Sequence, residues 1–247
     1  MAWQGYLRRL AHRYDNVIVC CPRGYQPLYQ DFTSDFIEHC VTGVKDCWHI
    51  TPDDPAKLRA VEETLAGMVG DHIVPYGYIP LEQQVFIRYG DASKLREDQR
   101  FDIVLHARSR IGKRPGHAWD PDTCDRVASD LSGYRVAAIG TEAYCPPGAA
   151  DLRGIPLDEL MNIMAGAKVF VGPSSGPAHL ASLCGLPHIV WTDRDWYSAI
   201  RATNRERYEK LWNPHATPVT IIDRFGWSPP ANVIVEEILK GIQKWQR

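Results

Sequence analysis

AKVFVGPSSGPAHLASLCGLPHIVW, residues 167–191, decides how this chain folds. Residues 168–171 are a short β-rich run ending in Gly172-Pro173. Ser174, Ser175 and Gly176 then offer capping chemistry ahead of Pro177, a residue favoured in a helix's first turn. A helix is therefore predicted to begin at Ser175 or Gly176. Pro177, Leu180, Ala181 and Cys184 fall on one apolar stripe, Gly185 supplies the C-terminal stop, and Pro187 prevents continuation before a second apolar strand. The first-turn amides of such a helix carry roughly half a positive charge from the macrodipole. They point out of a turn too small to block a ligand, which suits a phosphate or diphosphate. A βαβ crossover that binds nothing has the same pattern, so the turn alone leaves both readings open.

The same grammar continues outward. Residues 102–106 read as strand, 108–120 as a basic loop, 122–131 as helix, 135–139 as strand and 157–165 as helix. Alternating units of this length predict a parallel sheet with helices on both faces and ligands at the C-terminal strand ends. A terminal helix over 232–245 carries Val233, Val235, Ile238, Leu239 and Ile242 as packing residues. The almost wholly polar stretch DASKLREDQR, residues 91–100, is the best domain boundary, giving domains of 1–98 and 99–247. Before it, residues 2–14 read as an amphipathic helix with Trp3, Tyr6, Leu7, Leu10 and Tyr14 near one face and Arg8, Arg9 and Arg13 elsewhere. Residues 17–21 read as a buried strand, a short strand is expected to end at Trp48, His49 and Ile50, and residues 55–68 read as a helix with Leu58, Val61, Leu65 and Met68 on its core side. IVPYGYIPLEQQVFIRYG, residues 73–90, reads as an irregular surface segment.

With 247 residues, 45% apolar content and a formal charge of -2, the chain is long enough for one large or two small globular domains. No apolar run approaches the roughly 20 residues that span a bilayer, and no signal-peptide pattern opens the sequence, so a cytoplasmic protein is expected. The seven cysteines form no C-x-x-C pair, which indicates reduced thiols rather than a disulfide framework or a zinc site. The near-neutral charge argues against a general nucleic-acid-binding protein, while a local basic loop keeps a polyanionic acceptor open.

Over residues 102–192 the chain resembles the C-terminal donor-binding domain of GT-B glycosyltransferases, in particular the ADP-heptose:lipopolysaccharide heptosyltransferase-like enzymes of glycosyltransferase family 9. Ser174, Ser175, Gly176, His179, Leu180, Ala181, Gly185 and Pro187 carry the likeness. The departure is Pro173-Ser174-Ser175 where that family often has Asp-Thr-Gly. The resemblance implies an α/β fold of two Rossmann-like domains and sugar transfer from a nucleotide-diphosphate donor to a hydroxyl, inverting and metal-independent, with no cofactor. A glycan, a lipid-linked glycan or a modified nucleic acid is the implied acceptor. Residues 3–32 resemble the first helix, second strand and following loop of the acceptor domain, whose glycine-containing first turn would lie upstream of Met1. The N-terminal domain is therefore expected to be incomplete at its start. A sugar-nucleotide epimerase or hydrolase of the same fold, or a catalytically incomplete nucleotide-sugar-binding protein, are the competing readings.

Candidate site residues follow. Arg108, Arg110, Lys113 and Arg114 sit directly after the first strand of the second domain, where arginine forks match phosphate oxygens; in the resembled family this loop lies opposite the donor diphosphate. With Ser174, Ser175, Gly176 and His179 they form the expected diphosphate site. His179, in the helix's first turn, is expected either to face the ligand as a neutral hydrogen-bonding group or to pack against backbone. Ser182 could bind phosphate or pack. Gly140 and Glu142 end a strand that faces the nucleoside in GT-B donor domains, and Trp212, Asn213, Pro214 and His215 resemble a loop near the donor. Asp193-Arg194-Asp195 has the literal Asp-x-Asp pattern of a divalent-metal site, but the phosphate-binding helix belongs to the other class of glycosyltransferase, so no metal is expected. The catalytic base of the family comes from the acceptor domain; Asp31 and Asp35 are the candidates present, each also readable as a capping or surface carboxylate.

Overall fold

A computed structural model describes residues 4–38, 79–109, 118–196 and 202–245, together with Ala56, Arg59, Glu62, Glu63, Ala66, Gly67 and Ile73. The chain divides into two compact units, Met1–Phe86 and Ile87–Arg247.

In the first unit, α1 (Gln4–Ala11) leads to β1 (Ile18–Cys21), which pairs in parallel with β2 (Asp35–Glu38), Ile18 opposite Asp35. Helix α1 does not bury the face that its apolar residues mark. Gln4, Gly5 and Arg8 are the buried positions, while Tyr6, Leu7 and Leu10 are half-buried and Tyr14 is exposed. The reason lies in residues 84–86. The Val85 amide donates to the Gly5 carbonyl, and the side chains of Gln84 and Phe86 come so close that a Cβ at Gly5 would stand 3.0 Å from each. Arg8, on the same side of α1, donates to the Val85 carbonyl and forms a two-pronged pair with Asp31, Nε to Oδ2 at 2.5 Å and Nη2 to Oδ1 at 2.9 Å. The strand expected to end at Trp48–Ile50 lies outside the described residues. So does the core side of the helix expected over 55–68, of which Ala56, Arg59, Glu62, Glu63 and Ala66 are helical.

The second unit begins upstream of the polar stretch 91–100, because residues 89–95 are fastened to it. The Tyr89 amide donates to the Leu183 carbonyl, the Asp91 amide to Asn162, and Leu95 is buried. Here β3 (Ile103–Leu105), β4 (Ala107–Arg108), α2 (Pro121–Asp130), β5 (Val136–Ala138), β6 (Ala143–Tyr144), β7 (Ala150–Asp151), α3 (Leu157–Gly166), β8 (Val169–Pro173), α4 (Gly176–Leu183), β9 (His188–Trp191), α5 (Asn204–Arg207), a π-helical turn Tyr208–Trp212, β10 (Val219–Ile222) and α6 (Ala231–Lys244) follow in order. Six strands make a sheet in the order β10-β9-β8-β3-β5-β7, all pairs parallel. Its central strands are apolar end to end because both faces are covered. Ile103, Leu105, Val169, Val171, Ile189 and Trp191 pack with Val127 of α2 and Ile234 and Ile238 of α6, and Trp119 meets Trp191 edge to face at 4.7 Å. Helix α2 is capped by Asp120, whose carboxylate accepts from the Thr123 amide, with Pro121 at the first helical position.

Successive strands β3, β5 and β7 build one half of the sheet, and β8, β9 and β10 build the other. The order therefore reverses between β3 and β8, the topological switch point at which parallel sheets open a crevice beyond their C-terminal strand ends. No described helix is long and apolar enough to cross a membrane.

Candidate functional site

The β8–α4 turn lies at that switch point. Strand β8 runs through Gly172-Pro173, and the Ser174 amide stays in the ladder by donating to the Trp191 carbonyl. Ser175 is the N-cap of α4, extended at φ -162, yet its hydroxyl caps nothing. It donates to the Pro173 carbonyl at 2.9 Å, while the amides of Ala178 and His179 close on the Ser175 carbonyl. Pro177 has no N–H. The amides of Ser175 and Gly176 are left with no acceptor among the described residues, at the positive end of α4.

The residue that follows β3 lines the crevice floor. His106 donates its amide to the Val171 carbonyl, and its ring Nδ1 lies 3.2 Å from Ser175 Oγ. Because the serine proton goes to Pro173, the imidazole supplies Nδ1–H to the serine oxygen, which fixes the tautomer with Nε2 bare. Burial, aided by the nearby Arg108 charge, pushes the His106 pKa down to about 4, so the ring is neutral at pH 7. Gly140, just beyond β5, lies along the ring edge: a Cβ there would stand 2.9 Å from Cδ2. Half-buried Arg108 belongs to the ribbon that β4 forms with β6, and its carbonyl accepts from the Trp119 amide at 2.7 Å. Ser109 donates through both its amide and its hydroxyl to the Glu142 carbonyl, leaving the Glu142 side chain on the exposed β5–β6 loop. Arg110, Lys113 and Arg114 lie outside the described residues.

His179 packs among aromatic rings. It stacks on Tyr208 at 5.7 Å with an interplanar angle of 13° and meets Trp212 edge-on at 4.2 Å. Burial lowers its pKa to about 3, which keeps it uncharged. Tyr208 is almost fully buried, and its hydroxyl, beside Ser174, makes no hydrogen bond of normal geometry; burial raises its pKa. Ser182, fully buried, donates to the Trp212 carbonyl at 2.8 Å and so packs α4 against the π-turn. Asn213 closes its own loop through Thr217, and His215 Nε2–H donates to the Ile87 carbonyl.

The Asp-x-Asp sequence serves a turn: Asp193 Oδ1 accepts from the Asp195 amide at 2.8 Å. It borders a cavity of about 350 Å³ at the ends of β9 and β10, where Arg194 and Arg205 both reach Asp223. Among the described residues no group of three His, Cys, Asp or Glu side chains could hold a metal ion. In the first unit, Asp31 commits both carboxylate oxygens to Arg8, and Asp35 opens β2 at an exposed position. The structure thus brings Ser174, Ser175, Gly176, Arg108 and Gly140 around one set of strand ends. It adds His106, Ser109 and Tyr208, which no motif marked. The only sequence signal for His106 is a polar residue closing an otherwise apolar run, IVLH.

No protein-family model matches the chain. By sequence it is 26% identical over 209 residues to lipopolysaccharide heptosyltransferase 3 of Escherichia coli (strain K12), and 31% identical over 96 residues to an autotransporter heptosyltransferase of Citrobacter rodentium (strain ICC168). The chain is similar in sequence to heptosyltransferases. It spans about half of the first relative, 51%, and 24% of the second, while those alignments cover 81% and 33% of its own residues. The structure of E. coli ADP-heptose LPS heptosyltransferase II shares its fold, with a TM-score of 0.61 over 99% of this chain and 95% of that one at 14% identity.

Proposed function

We propose that this chain moves a sugar from a nucleotide-diphosphate donor to a hydroxyl acceptor, with inversion and without a metal. The observation that carries the reading is the pair of unengaged amides at Ser175 and Gly176, set at the sheet's switch point on the positive end of α4. In the reaction the acceptor oxygen bonds to the anomeric carbon as the carbon's bond to the diphosphate oxygen breaks, and the acceptor proton passes to a base. The chain's task in the second unit is to hold the leaving diphosphate: the two amides, the Ser174 hydroxyl and Arg108 would do so, with Arg110 and Lys113 as the further cations that the sequence suggests. Gly140 and Glu142 would border the nucleoside. The structural relative's name makes an ADP-linked heptose the first donor to test. A lipid-linked glycan, another glycan or a modified nucleic acid is the acceptor class that the sequence reading suggests.

A second reading is favoured by the Asp31–Arg8 pair, which occupies the oxygens of one candidate base. A chain without a base would bind nucleotide sugars and turn none over. Calorimetric titration with ADP, UDP and GDP, followed by donor-consumption assays with and without acceptor, separates the readings. Binding with acceptor-dependent consumption supports transfer, and Arg110→Ala with Lys113→Ala should then cut turnover strongly. Consumption without acceptor supports an epimerase or hydrolase, binding without turnover supports the second reading, and no binding defeats all of them.

A further inference from the structure

His106 has no task in the reaction just proposed, yet it is the buried polar side chain on which the crevice floor closes. All but 7% of its surface is covered. Its ring bridges two strand ends. Nδ1–H points to Ser175 at the start of α4, where the diphosphate is proposed, and the opposite edge, Cδ2 and Nε2, lies along Gly140, where the nucleoside is proposed. A Cβ at residue 140 would stand 2.9 Å from Cδ2 and 3.1 Å from Nε2, so only a glycine fits against that edge.

The proton on Nδ1 makes Nε2 a pure acceptor, and no described residue donates to it. A bare nitrogen cannot serve the diphosphate, which at neutral pH offers only acceptor oxygens. It needs a hydroxyl or an N–H. Between the diphosphate and the base of a nucleotide stands the ribose, which supplies two hydroxyls. His106 is 7% exposed and its Nε2 is not among the fully buried unpartnered atoms, so this acceptor stays within reach of a ligand hydroxyl, which could replace the water it otherwise meets.

We infer that His106 is a specificity residue for the donor, its Nε2 accepting a hydrogen bond from a ribose hydroxyl while its Nδ1–H holds the Ser175 turn. The inference rests on the donor-site reading above. It makes the chain selective for ribonucleotides over deoxyribonucleotides through a neutral hydrogen bond.

The test is equilibrium binding of ADP, 2′-deoxy-ADP and 3′-deoxy-ADP, with the UDP and GDP series in parallel, to the full chain and to His106→Asn and His106→Gln. Asparagine places an amide nitrogen where Nδ1 stands and keeps the Ser175 contact while removing Nε2; glutamine reaches the Nε2 position. The unaltered chain should bind the ribonucleotide about fivefold to tenfold more tightly than one of its deoxy forms. His106→Asn should bind the ribonucleotide as weakly as that deoxy form, and His106→Gln should regain part of the difference. Equal affinity of the unaltered chain for ribo and deoxy forms overturns the inference, a result that needs no variant to fold. So does a His106→Asn loss of the same factor for both forms, which is what a purely structural histidine would give. If ADP, UDP and GDP all fail to bind, the donor reading itself falls, and this inference with it.

Discussion

Lowering the pH from 7.5 to 5.0 is expected to remove about 6 kcal/mol from the stability of the second unit, through three imidazoles that the fold keeps neutral. His188 is fully buried in β9; its Nδ1–H donates to the Leu186 carbonyl at 2.9 Å, its Nε2 has no partner, and burial lowers its pKa to about 4. His106 is lowered to about 4 and His179 to about 3, each chiefly by burial. A histidine in the unfolded chain titrates near 6.5. The folded state therefore binds fewer protons in this range, so the contribution of each ring is complete above pH 6.5 and is lost as the pH falls toward the folded value. At pH 5.0 the folded rings are still neutral and the unfolded ones charged. That is about 1.5 units at about 1.4 kcal/mol per unit, or about 2 kcal/mol for each ring. Lowered carboxylates such as Asp102 and Asp223 lose their contribution only nearer pH 4 and do not mask the effect. Whole domains have about 5–15 kcal/mol to lose, so the unit should be at the edge of unfolding at pH 5.0. Urea denaturation followed by tryptophan fluorescence at the two pH values reads this directly. His188→Asn, which keeps the donor to Leu186 without a titrating ring, should shrink the pH-dependent loss by about 2 kcal/mol. An unfolding free energy that does not change between pH 7.5 and 5.0 would refute the burial argument.

Three other perturbations have outcomes fixed by geometry. Gly90→Ala puts a Cβ 2.0 Å from the Met161 carbonyl oxygen at a φ of +81, and should cost about 3 kcal/mol or more, seen as a fall of roughly 10 °C in Tm; a shift of a degree or two would mean that α3 gives way easily. Asp31→Asn removes the charge paired with the Arg8 guanidinium, whose side chain is 4% exposed, and should destabilise the first unit by about 2 kcal/mol once the partial exposure of Asp31 is allowed for. A neutral melt for that variant would show that the remaining contacts of Arg8, the Val85 carbonyl and the Phe32 ring among them, are enough for its guanidinium. Ser182→Ala should lower stability by about 1–2 kcal/mol while leaving nucleoside diphosphate affinity unchanged, since its hydroxyl is spent on Trp212; loss of affinity at unchanged stability would put Ser182 in the site instead.

The parts of the fold that could be read from the sequence are those whose cause is local. Strands β3, β5, β8 and β9 are covered on both faces and so appear as unbroken apolar runs, and α2 and α4 announce themselves through Asp120-Pro121, Pro177 and Gly185. Edge strands leave a weaker trace. β7 is two residues long, Ala150–Asp151, and β10 is half-buried along most of its length, so neither stands out from the loops beside it. Side-chain pairing across long sequence separations leaves none. Arg8 looks like a solvated helix residue until Asp31, 23 residues on, is brought under it. His106 and Ser175 are 69 residues apart, and only the sheet order that sets β3 beside β8 makes them neighbours. His179 shows the limit of motif reading: its position in the first turn of α4 was legible, but the π-turn at Tyr208–Trp212 that fixes its ring has no sequence signature.

That limit bears on how glycines in the proposed site should be interpreted. A glycine at a strand end invites the explanation that a ligand must come close to the backbone, and Gly140 and Gly172 both occupy such ends. Each already has a reason within the protein. A Cβ at Gly140 would meet the His106 ring, and one at Gly172 would stand 3.1 Å from both the His106 Cβ and its carbonyl oxygen. His106, the Phe170 ring beside Gly172 and the φ of +116 at Gly140 account for both glycines, so their smallness is no argument for a ligand. What the floor then has left to offer a ligand is polar and sparse: the Ser175 and Gly176 amides as donors and the bare imidazole nitrogen as acceptor. In a buried crevice, groups so few and so fixed discriminate by the cost of leaving one unpaired, which is larger than the gain from pairing it. A donor lacking one matching group should therefore lose about fivefold to tenfold in affinity, because the group left behind stays unpaired.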